Sequence, residues 1–157
     1  MSSNEYRVRG LCFEDMQVGD TMVTPGRTIT EADLVNFCGL SGDFNELHSN
    51  EEYARQGRFG HRIAHGLLGL AVASGLAARL GFMEGTAQAF MGLEWKFKAP
   101  TFIGDTVHLR AKIAGKREIK RLGGGLVVIE AELRNQKDNV TQEGQWTLLM
   151  KCRTTTS

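Results

Sequence analysis

Hydrophobic and polar positions alternate along the second half of the chain, in four separate segments. Alternation with a period of two is typical of a β-strand that has one covered face. The segments lie at residues 89–97, 107–113, 127–134 and 140–150. Turn signals separate them at Pro100, at the three glycines 123–125 and at residues 137–139. The pattern predicts an antiparallel meander of four strands with one face covered.

A helix is predicted before these strands, from His65 to Leu80. Its residues are apolar nearly all round, which predicts burial on most sides. The glycines at 66, 69 and 75 each lower its intrinsic helix propensity by roughly 1 kcal/mol relative to alanine. The small residues therefore favour a close approach of this helix to the sheet, and Gly81 is expected to end it.

The first part of the chain predicts shorter elements. Residues 11–24 predict a short strand or an irregular edge segment, because the turn signal Gly19-Asp20 interrupts their apolar positions. A helix is expected over Thr30–Phe37. The threonine at its start is the N-cap, Asp33 completes a capping box, and Gly39 is expected to end it.

Residues 41–49 are expected to form a polar loop, and residues 51–56 a short helix. The predicted order is therefore a strand, two short helices, one buried helix and four long strands. This is an α+β arrangement, in which an antiparallel sheet covers one long buried helix. The whole chain, 1–157, is expected to form a single domain, with residues 1–10 and 153–157 as flexible ends.

The composition indicates a folded globular domain with no nucleic-acid or membrane surface. Hydrophobic residues make up 41% of the chain, and 19 basic against 18 acidic residues give a formal net charge of +1. No apolar run reaches the length of about 18 residues that a membrane helix requires, and no signal peptide is expected. Cys12, Cys38 and Cys152 are dispersed and odd in number. They favour reduced thiols and a cytoplasmic location.

Asp43 and His48 are the first candidates for chemistry. On a helix, a spacing of five places two side chains about 140° apart, whereas in a loop they are able to converge. A carboxylate and an imidazole at hydrogen-bond distance can position a water molecule and move its proton. The alternative is a structural role, in which Asp43 caps the turn and His48 bonds to a backbone carbonyl.

Gly66 is a candidate because a helix that begins near it leaves its first amides without intrahelical partners. Glycine lets a ligand approach the backbone, and amides at a helix N-terminus suit a developing oxyanion. The alternative is a tight helix start with no further role. His61 and His65 have a spacing that metal ligands use on helices, but no third ligand follows, and no metal site is expected.

Residues 41–48, Ser-Gly-Asp-Phe-Asn-Glu-Leu-His, resemble the hydratase motif of MaoC-like proteins and (R)-specific enoyl-CoA hydratases. Further parts are similar to the same family, namely residues 59–66, Ser74, residues 91–97 and residues 99–105. The resemblance covers about residues 13–150. It implies a hotdog fold, in which an antiparallel sheet wraps around a long helix. It also implies homodimers or higher homo-oligomers whose sheets join, with sites at the interface.

The resemblance implies that Asp43 and His48 form the catalytic pair. Four further residues are implied in binding the substrate or its oxyanion, or in bracing the loop, and these are Gly66, Asn45, Ser74 and His65. Among them, Gly66 would offer its amide to the thioester carbonyl. One departure concerns Glu46, which stands where the family commonly has proline. Proline would stiffen the loop, so the departure leaves the loop geometry and the substrate range open.

The implied activity is the addition of water across the 2,3 double bond of an enoyl thioester, or the reverse dehydration. The substrate would be an acyl-CoA or acyl-carrier-protein thioester, whose arm enters as part of the substrate, and no other cofactor is expected. Two alternatives stay open, namely a hotdog acyl-CoA thioesterase and a non-catalytic module that binds acyl thioesters. Incubation with a saturated acyl-CoA would release free thiol only in the first of these two cases.

Overall fold

The predicted strands pair into one antiparallel sheet in a computed structural model that describes residues 10–153. The predicted flexible ends lie outside the described residues, apart from Gly10 and Arg153. The strands are β1 (Thr21–Val23), β2 (Arg27–Thr28), β3 (Ala87–Phe97), β4 (Thr106–Ile119), β5 (Gly124–Arg134) and β6 (Val140–Lys151). Their order across the sheet is β1-β4-β5-β6-β3, and β2 also pairs with β4.

The meander prediction holds for β4, β5 and β6 but is wrong for β3. β3 pairs with β6 instead of β4, so that Phe97 lies opposite Gln142. The strand that comes first among the four in the sequence therefore forms an outer edge of the sheet. Alternation predicts that a segment is a strand, but it carries no information about which strand lies beside it.

A register shift in β3, between Phe90 and Gly92, also changes which side chains share a face. Strict alternation places Phe90 and Trp95 on opposite faces of the sheet. In the structure, the Phe90 ring lies 5.9 Å from the Trp146 ring, and the Trp95 ring lies 5.7 Å from the same ring. Phe90 and Trp95 therefore face the same way.

In the described residues, four α-helices precede β3, namely α1 (Glu31–Ser41), α2 (Glu46–Ser49), α3 (Glu51–Arg55) and α4 (Gly66–Arg79). α1 begins as predicted, because the Thr30 side chain accepts from the Asp33 amide and the Asp33 carboxylate accepts from the Thr30 amide. The predicted end at Gly39 is wrong. α1 continues to Ser41, because Gly42 is the residue that adopts the left-handed conformation, with φ 78°.

The predicted irregular edge segment is confirmed within residues 11–24. It contains one turn of 3-10 helix, Phe13–Asp15, followed by the three-residue strand β1 on the β4 edge of the sheet. A second 3-10 turn, Lys120–Leu122, connects β4 to β5. None of the helices in the described part of the chain is long and apolar enough to cross a membrane.

The core lies between one face of α4 and the sheet. The buried residues of α4 are Leu68, Gly69, Val72, Ala73, Leu76 and Ala77. They pack with alternate residues of the central strands, among them Leu109, Ile113, Ile129, Leu133, Trp146 and Leu148. The other side of α4 is exposed in this chain, where Leu67 is 61% exposed and Ser74 and Gly75 are also exposed. Burial of α4 within the chain is therefore narrower than its apolar composition predicts.

Candidate active site

The segment from Ser41 to Ser49 is not the continuous loop that was predicted, because it contains the single turn α2. Asn45 is the N-cap of this turn, and its side chain accepts a hydrogen bond from the Leu47 amide at 3.0 Å. Asp43 precedes the turn and His48 lies within it. Because only His48 is helical, the angle of about 140° that a helix gives to a spacing of five does not apply here. The two side chains are therefore not forced to point apart.

Asp43 is exposed, and its backbone position is set by short-range hydrogen bonds. Its amide donates to Ser41 Oγ at 3.2 Å, and its Oδ1 accepts from the Asn45 amide at 3.1 Å. This is the turn-capping role that the sequence left open as an alternative. One carboxylate oxygen is used in this way, so Oδ2 stays available to a ligand.

His48 is half-buried, and its ring orientation is fixed by a backbone contact. Its Nδ1 lies 2.8 Å from the carbonyl oxygen of Ile63, which identifies Nδ1–H as the donor. The neutral imidazole then carries its free lone pair on Nε2. The carbonyl bond predicted as a structural alternative therefore also prepares the other nitrogen to accept a proton.

His65 is buried, with 3% of its surface exposed, and it joins Asp43 to His48. Its Nε2 lies 3.0 Å from the backbone carbonyl of Asp43. Its ring is stacked on the His48 ring, with centroids 3.8 Å apart, and Phe37 packs against it at 4.9 Å. Cys38 contributes a buried sulfur 3.6 Å from the same Nε2. His65 therefore packs against His48 and holds the backbone of Asp43.

Asp43, His48 and His65 each place one oxygen or nitrogen atom within 4.8 Å of the others. One water molecule can bridge two hydrogen-bonding atoms at that separation. A carboxylate and imidazoles are also donors that a divalent metal ion uses. The pair considered from the sequence, His61 and His65, is not brought together, because His61 Nδ1 pairs with Glu51 at 3.0 Å.

Gly66 is the first residue of α4, and His65 is its N-cap without a side-chain capping bond. Among residues 10–153, no acceptor takes a hydrogen bond from the Gly66 amide. A Cβ atom at this position would lie 2.7 Å from the Phe97 ring, so no larger residue fits without displacing that ring. The free backbone amide that the sequence predicted at Gly66 is therefore present.

A cavity of about 790 Å³ opens beside this helix start. Its walls include Gly66, Arg58, Phe97, Lys98, Thr101 and Gln142. The Thr101 hydroxyl is buried and has no partner among the described residues. The side chains of Asp43 and His48 are not part of these walls, so within one chain the cavity reaches the helix start but not the polar pair.

Ser74 is the predicted residue that the structure does not bring to this cluster. It lies eight residues after Gly66 on α4, which corresponds to about 12 Å along the axis. It is on the exposed side of the helix, and its hydroxyl donates to the Ala71 carbonyl at 2.8 Å. Its place near the site remains a prediction that the single chain does not support.

Arg62 is a residue whose role sequence reasoning missed, because it ties the site to two helices. Its guanidinium makes a bidentate pair with Glu31 of α1, at 2.8 and 2.7 Å, and its Nε donates to Glu51 of α3 at 3.2 Å. The hydrogen bonds from Arg62 hold the pKa of the Glu31 carboxyl below its usual range. Hydrogen bonds from His61 and from the Arg62 amide lower the pKa of Glu51 in the same way.

Gln142 is a second missed residue, and it lies in β6 with 3% of its surface exposed. Its Nε2 donates to the Gly66 carbonyl at 3.1 Å, and its Oε1 accepts from the Trp95 indole at 2.8 Å. The only signal in the sequence is a polar residue at an inward position of an alternating strand. That signal does not identify the partners.

A family model described as a MaoC like domain matches residues 15–134, which is more than half of the chain. The chain belongs to the MaoC-like family. The motif of residues 41–48 and the His65-Gly66 pair both lie inside the matched region. The family resemblance predicted from those residues is therefore confirmed.

Relatives that include two named hydratases are similar over much of this chain. An (R)-specific enoyl-CoA hydratase from Rhodospirillum rubrum is 38% identical over 129 residues, which cover 76% of this chain and 87% of the relative. The protein MaoC of Klebsiella aerogenes is 40% identical over 99 residues, which cover 62% of this chain but 29% of that longer protein. An R-hydratase structure from Pseudomonas aeruginosa superposes with a TM-score of 0.80 at 25% identity, covering 93% of this chain and 89% of that one. The predicted α+β hotdog fold is confirmed by such structural likeness.

Proposed function

We propose that this MaoC-like chain is a hydro-lyase that adds water across the 2,3 double bond of an enoyl thioester. The product is an (R)-3-hydroxyacyl thioester, and the reverse reaction is its dehydration. The observation that carries the proposal is the convergence of Asp43, His48 and His65, whose polar atoms lie within 4.8 Å of one another. Relatives named as (R)-specific enoyl-CoA hydratase and 3-hydroxybutyryl-CoA dehydratase support it.

Asp43 and His48 would hold the reacting water between them. His48 Nε2 has a free lone pair because Nδ1–H donates to Ile63, and Asp43 Oδ2 is a second acceptor. During hydration, one O–H bond of the water breaks as its oxygen bonds to Cβ, and a proton is delivered to Cα. The proton taken from the water and the proton given to Cα can pass through this pair, so the enzyme returns to its starting state.

The Gly66 amide would stabilise the charge that develops on the thioester oxygen during this addition. It has no acceptor among the described residues and opens onto the cavity beside α4. A donor of this kind contributes about 3 kcal/mol to transition-state stabilisation. Helix N-termini suit this role because their first amides lack intrahelical partners.

The thioester would be carried by coenzyme A or by an acyl carrier protein, whose arm enters the cavity of about 790 Å³. Arg58 and Lys98 in its walls provide positive charge for a phosphate. We propose that no metal ion or redox cofactor takes part. Overnight dialysis against a chelator is expected to leave the hydration rate unchanged, and a loss restored by zinc would refute this part.

We further propose that the working form is a homodimer, joined along the outer edge of β3. This edge strand exposes large apolar side chains, namely Phe90, Met91, Leu93 and Phe97, each at 48–56% exposure. Exposed apolar edge strands are normally covered by another chain. A second copy would extend the sheet and close the open side of the cavity near Gly66.

A cytoplasmic location also remains a prediction.

The direct test is hydration of crotonyl-CoA, followed as the loss of enoyl-thioester absorbance, with the chirality of the 3-hydroxy product determined by chromatography. The expected result is an (R) product and no release of free thiol. A saturated butyryl-CoA control with a thiol reagent separates hydration from thioester hydrolysis. Thiol release from butyryl-CoA, or binding without any change in enoyl absorbance, would replace the proposal by a thioesterase or a binding module.

A further inference from the structure

Gln142 connects the edge strand β3 to the first turn of α4. Its Oε1 accepts a hydrogen bond from Trp95 Nε1 at 2.8 Å, and its Nε2 donates to the carbonyl oxygen of Gly66 at 3.1 Å. The side chain is buried, so an unpaired amide here would carry a desolvation cost of about 1–3 kcal/mol. Both ends of the amide are therefore committed to these two partners.

The first turn of α4 is shaped to admit this amide. A Cβ atom at Gly69 would lie 2.1 Å from Gln142 Nε2, and a Cβ atom at Gly66 would lie 2.7 Å from the Phe97 ring. Two glycines one turn apart thus let the side chains of β6 and β3 press directly against the helix backbone. This contact explains why α4 has glycine at 66 and 69, whereas a Cβ atom at Gly75 would meet no atom within 4 Å.

We propose that Gln142 is a positioning residue that places the Gly66 amide by anchoring the first turn of α4 to β6 and β3. The peptide before Gly66 is held because the His65 carbonyl accepts from the Gly69 amide at 3.2 Å. The peptide after it is held because Gln142 Nε2 donates to the Gly66 carbonyl. A glycine is free to rotate about both of its backbone bonds unless its neighbours restrain it. The Gly66 N–H belongs to the first of these peptides and is oriented by the His65 carbonyl bond, whereas the Gln142 bond anchors the same helical turn to the sheet and so places this N–H.

This inference rests on the proposed function, since the position of the amide matters for rate only if the amide binds the thioester oxygen. An oxyanion donor acts through geometry, and a displacement of about 1 Å can lower the rate on the order of 100-fold. The inference also connects the site to the sheet edge, because Trp95 lies on β3 and holds the other end of the Gln142 amide. Movement at that edge would be transmitted to the helix start.

The chemistry of the link requires one group that accepts and donates over a fixed distance. An ionised glutamate has the same shape but cannot donate to the Gly66 carbonyl, and methionine has similar length but neither accepts nor donates well. Gln142→Glu therefore tests the donor alone, and Gln142→Met tests the whole amide. Gln145→Met is the matched control, because Gln145 lies on the same strand and is exposed.

The first measurement is steady-state hydration of crotonyl-CoA by the four proteins, with thermal unfolding of each. We expect Gln142→Glu and Gln142→Met to lower kcat by about 10- to 100-fold with little change in KM, because the lost contact acts mainly in the transition state. Gln145→Met is expected to keep the wild-type kcat. Unchanged kcat in folded Gln142 variants of an active enzyme would overturn the inference.

The second measurement does not depend on activity or on the variants of Gln142 folding well. Trp95→Phe removes the indole donor, while a phenyl ring keeps aromatic contact with Trp146. In the ¹⁵N-labelled unliganded protein, the Gly66 amide resonance is expected to shift. An unchanged Gly66 resonance would overturn the inference even if the wild-type protein showed no hydration, in which case the proposed function would fail separately.

Discussion

Strands β4 to β6 and the segment of residues 41–66 are stabilised by different kinds of interaction. The strands are held by apolar side chains from distant parts of the chain, and Val107, Leu109, Ile129 and Leu133 are each 0% exposed. The segment is held mainly by short-range hydrogen bonds to side chains that stay exposed or half-buried. Packing and chemistry therefore depend on separate sets of residues.

The comparison teaches that side chains in the segment are free to serve chemistry because the core does not need them. Asp43 is exposed and His48 half-buried, and neither belongs to the apolar core. His65 is the exception, since it is buried and also contacts both of these residues. Substitutions in the two regions should thus separate activity from stability.

The largest effect is expected for the polar pair. Asp43→Asn keeps an oxygen for the Asn45 amide, and His48→Asn keeps a donor for the Ile63 carbonyl, while each removes the proton-transfer group. Either change is expected to lower kcat for crotonyl-CoA by about 10²–10⁴-fold. His61→Asn, at an exposed histidine, is the matched control.

The same variants should unfold at nearly the wild-type denaturant midpoint, because they leave the core unchanged. Surface substitutions such as Asp43→Asn usually change the free energy of unfolding by less than about 0.5 kcal/mol. If both variants kept full activity, the assignment of the pair would be wrong. If they lost activity only in proportion to lost folded protein, the separation between the two regions would fail.

A core substitution in β5 should give the opposite result. Ile129→Ala removes buried methyl groups from the centre of the sheet and is expected to lower the free energy of unfolding by about 3 kcal/mol. Urea unfolding measures this loss, and Leu122→Ala, at a residue 43% exposed, is the control. The kcat of the folded fraction should stay at the wild-type value. A large fall in kcat without lost stability would contradict the comparison.

A charge on the outer edge of β3 should act on assembly. Leu93→Lys places an ammonium where the proposed dimer buries an apolar surface, and it is expected to weaken dimerisation by about 100-fold or more. Sedimentation velocity across a concentration series measures this change. Val23→Lys on β1, 53% exposed at the other edge of the sheet, should have no such effect. A wild-type monomer at all concentrations would refute the proposed dimer.

Local interactions explain which parts of the site the sequence predicts. Asp43, Asn45 and His48 lie within six residues, so their turn and capping bonds can be anticipated from residue type. The free amide of Gly66 follows from the predicted start of α4. The residue at which α1 ends does not follow from the sequence, because only the backbone conformation decides between Gly39 and Gly42.

Long-range contacts explain what the sequence does not predict. Gln142 occupies an ordinary position in an alternating strand, and its partners Trp95 and Gly66 are 47 and 76 residues away. Gly125 was expected in a turn, but it lies in β5, where a Cβ atom would be 2.3 Å from the Phe13 ring. Such long-range contacts produce no periodic pattern in the sequence. The pairing of β3 with β6 is a further long-range contact of this kind.

The smallest expected effect concerns Arg62, which joins the two regions through Glu31 of α1 and Glu51 of α3. Arg62→Met removes these pairs and is expected to lower Tm at pH 7 by about 3 °C, as suits partly exposed ion pairs. The pKa of each carboxyl is lowered in the folded protein. The largest cause is hydrogen bonding from Arg62 for Glu31 and from His61 for Glu51.

The lowered pKa fixes the direction of the pH dependence. A carboxyl with a depressed folded pKa stabilises the protein above its ordinary pKa of 4.5, and this contribution is lost as the pH falls through the lower folded value. The difference in Tm between wild type and Arg62→Met should therefore be constant near neutral pH and should shrink below pH 4.5. Arg55→Met, at a more exposed arginine that pairs closely with Glu52 and more distantly, at 3.6 Å, with Glu51, is the control and should change Tm less. An equal Tm difference at pH 7 and at about pH 3 would mean that Arg62 stabilises the site segment by packing instead of by charge.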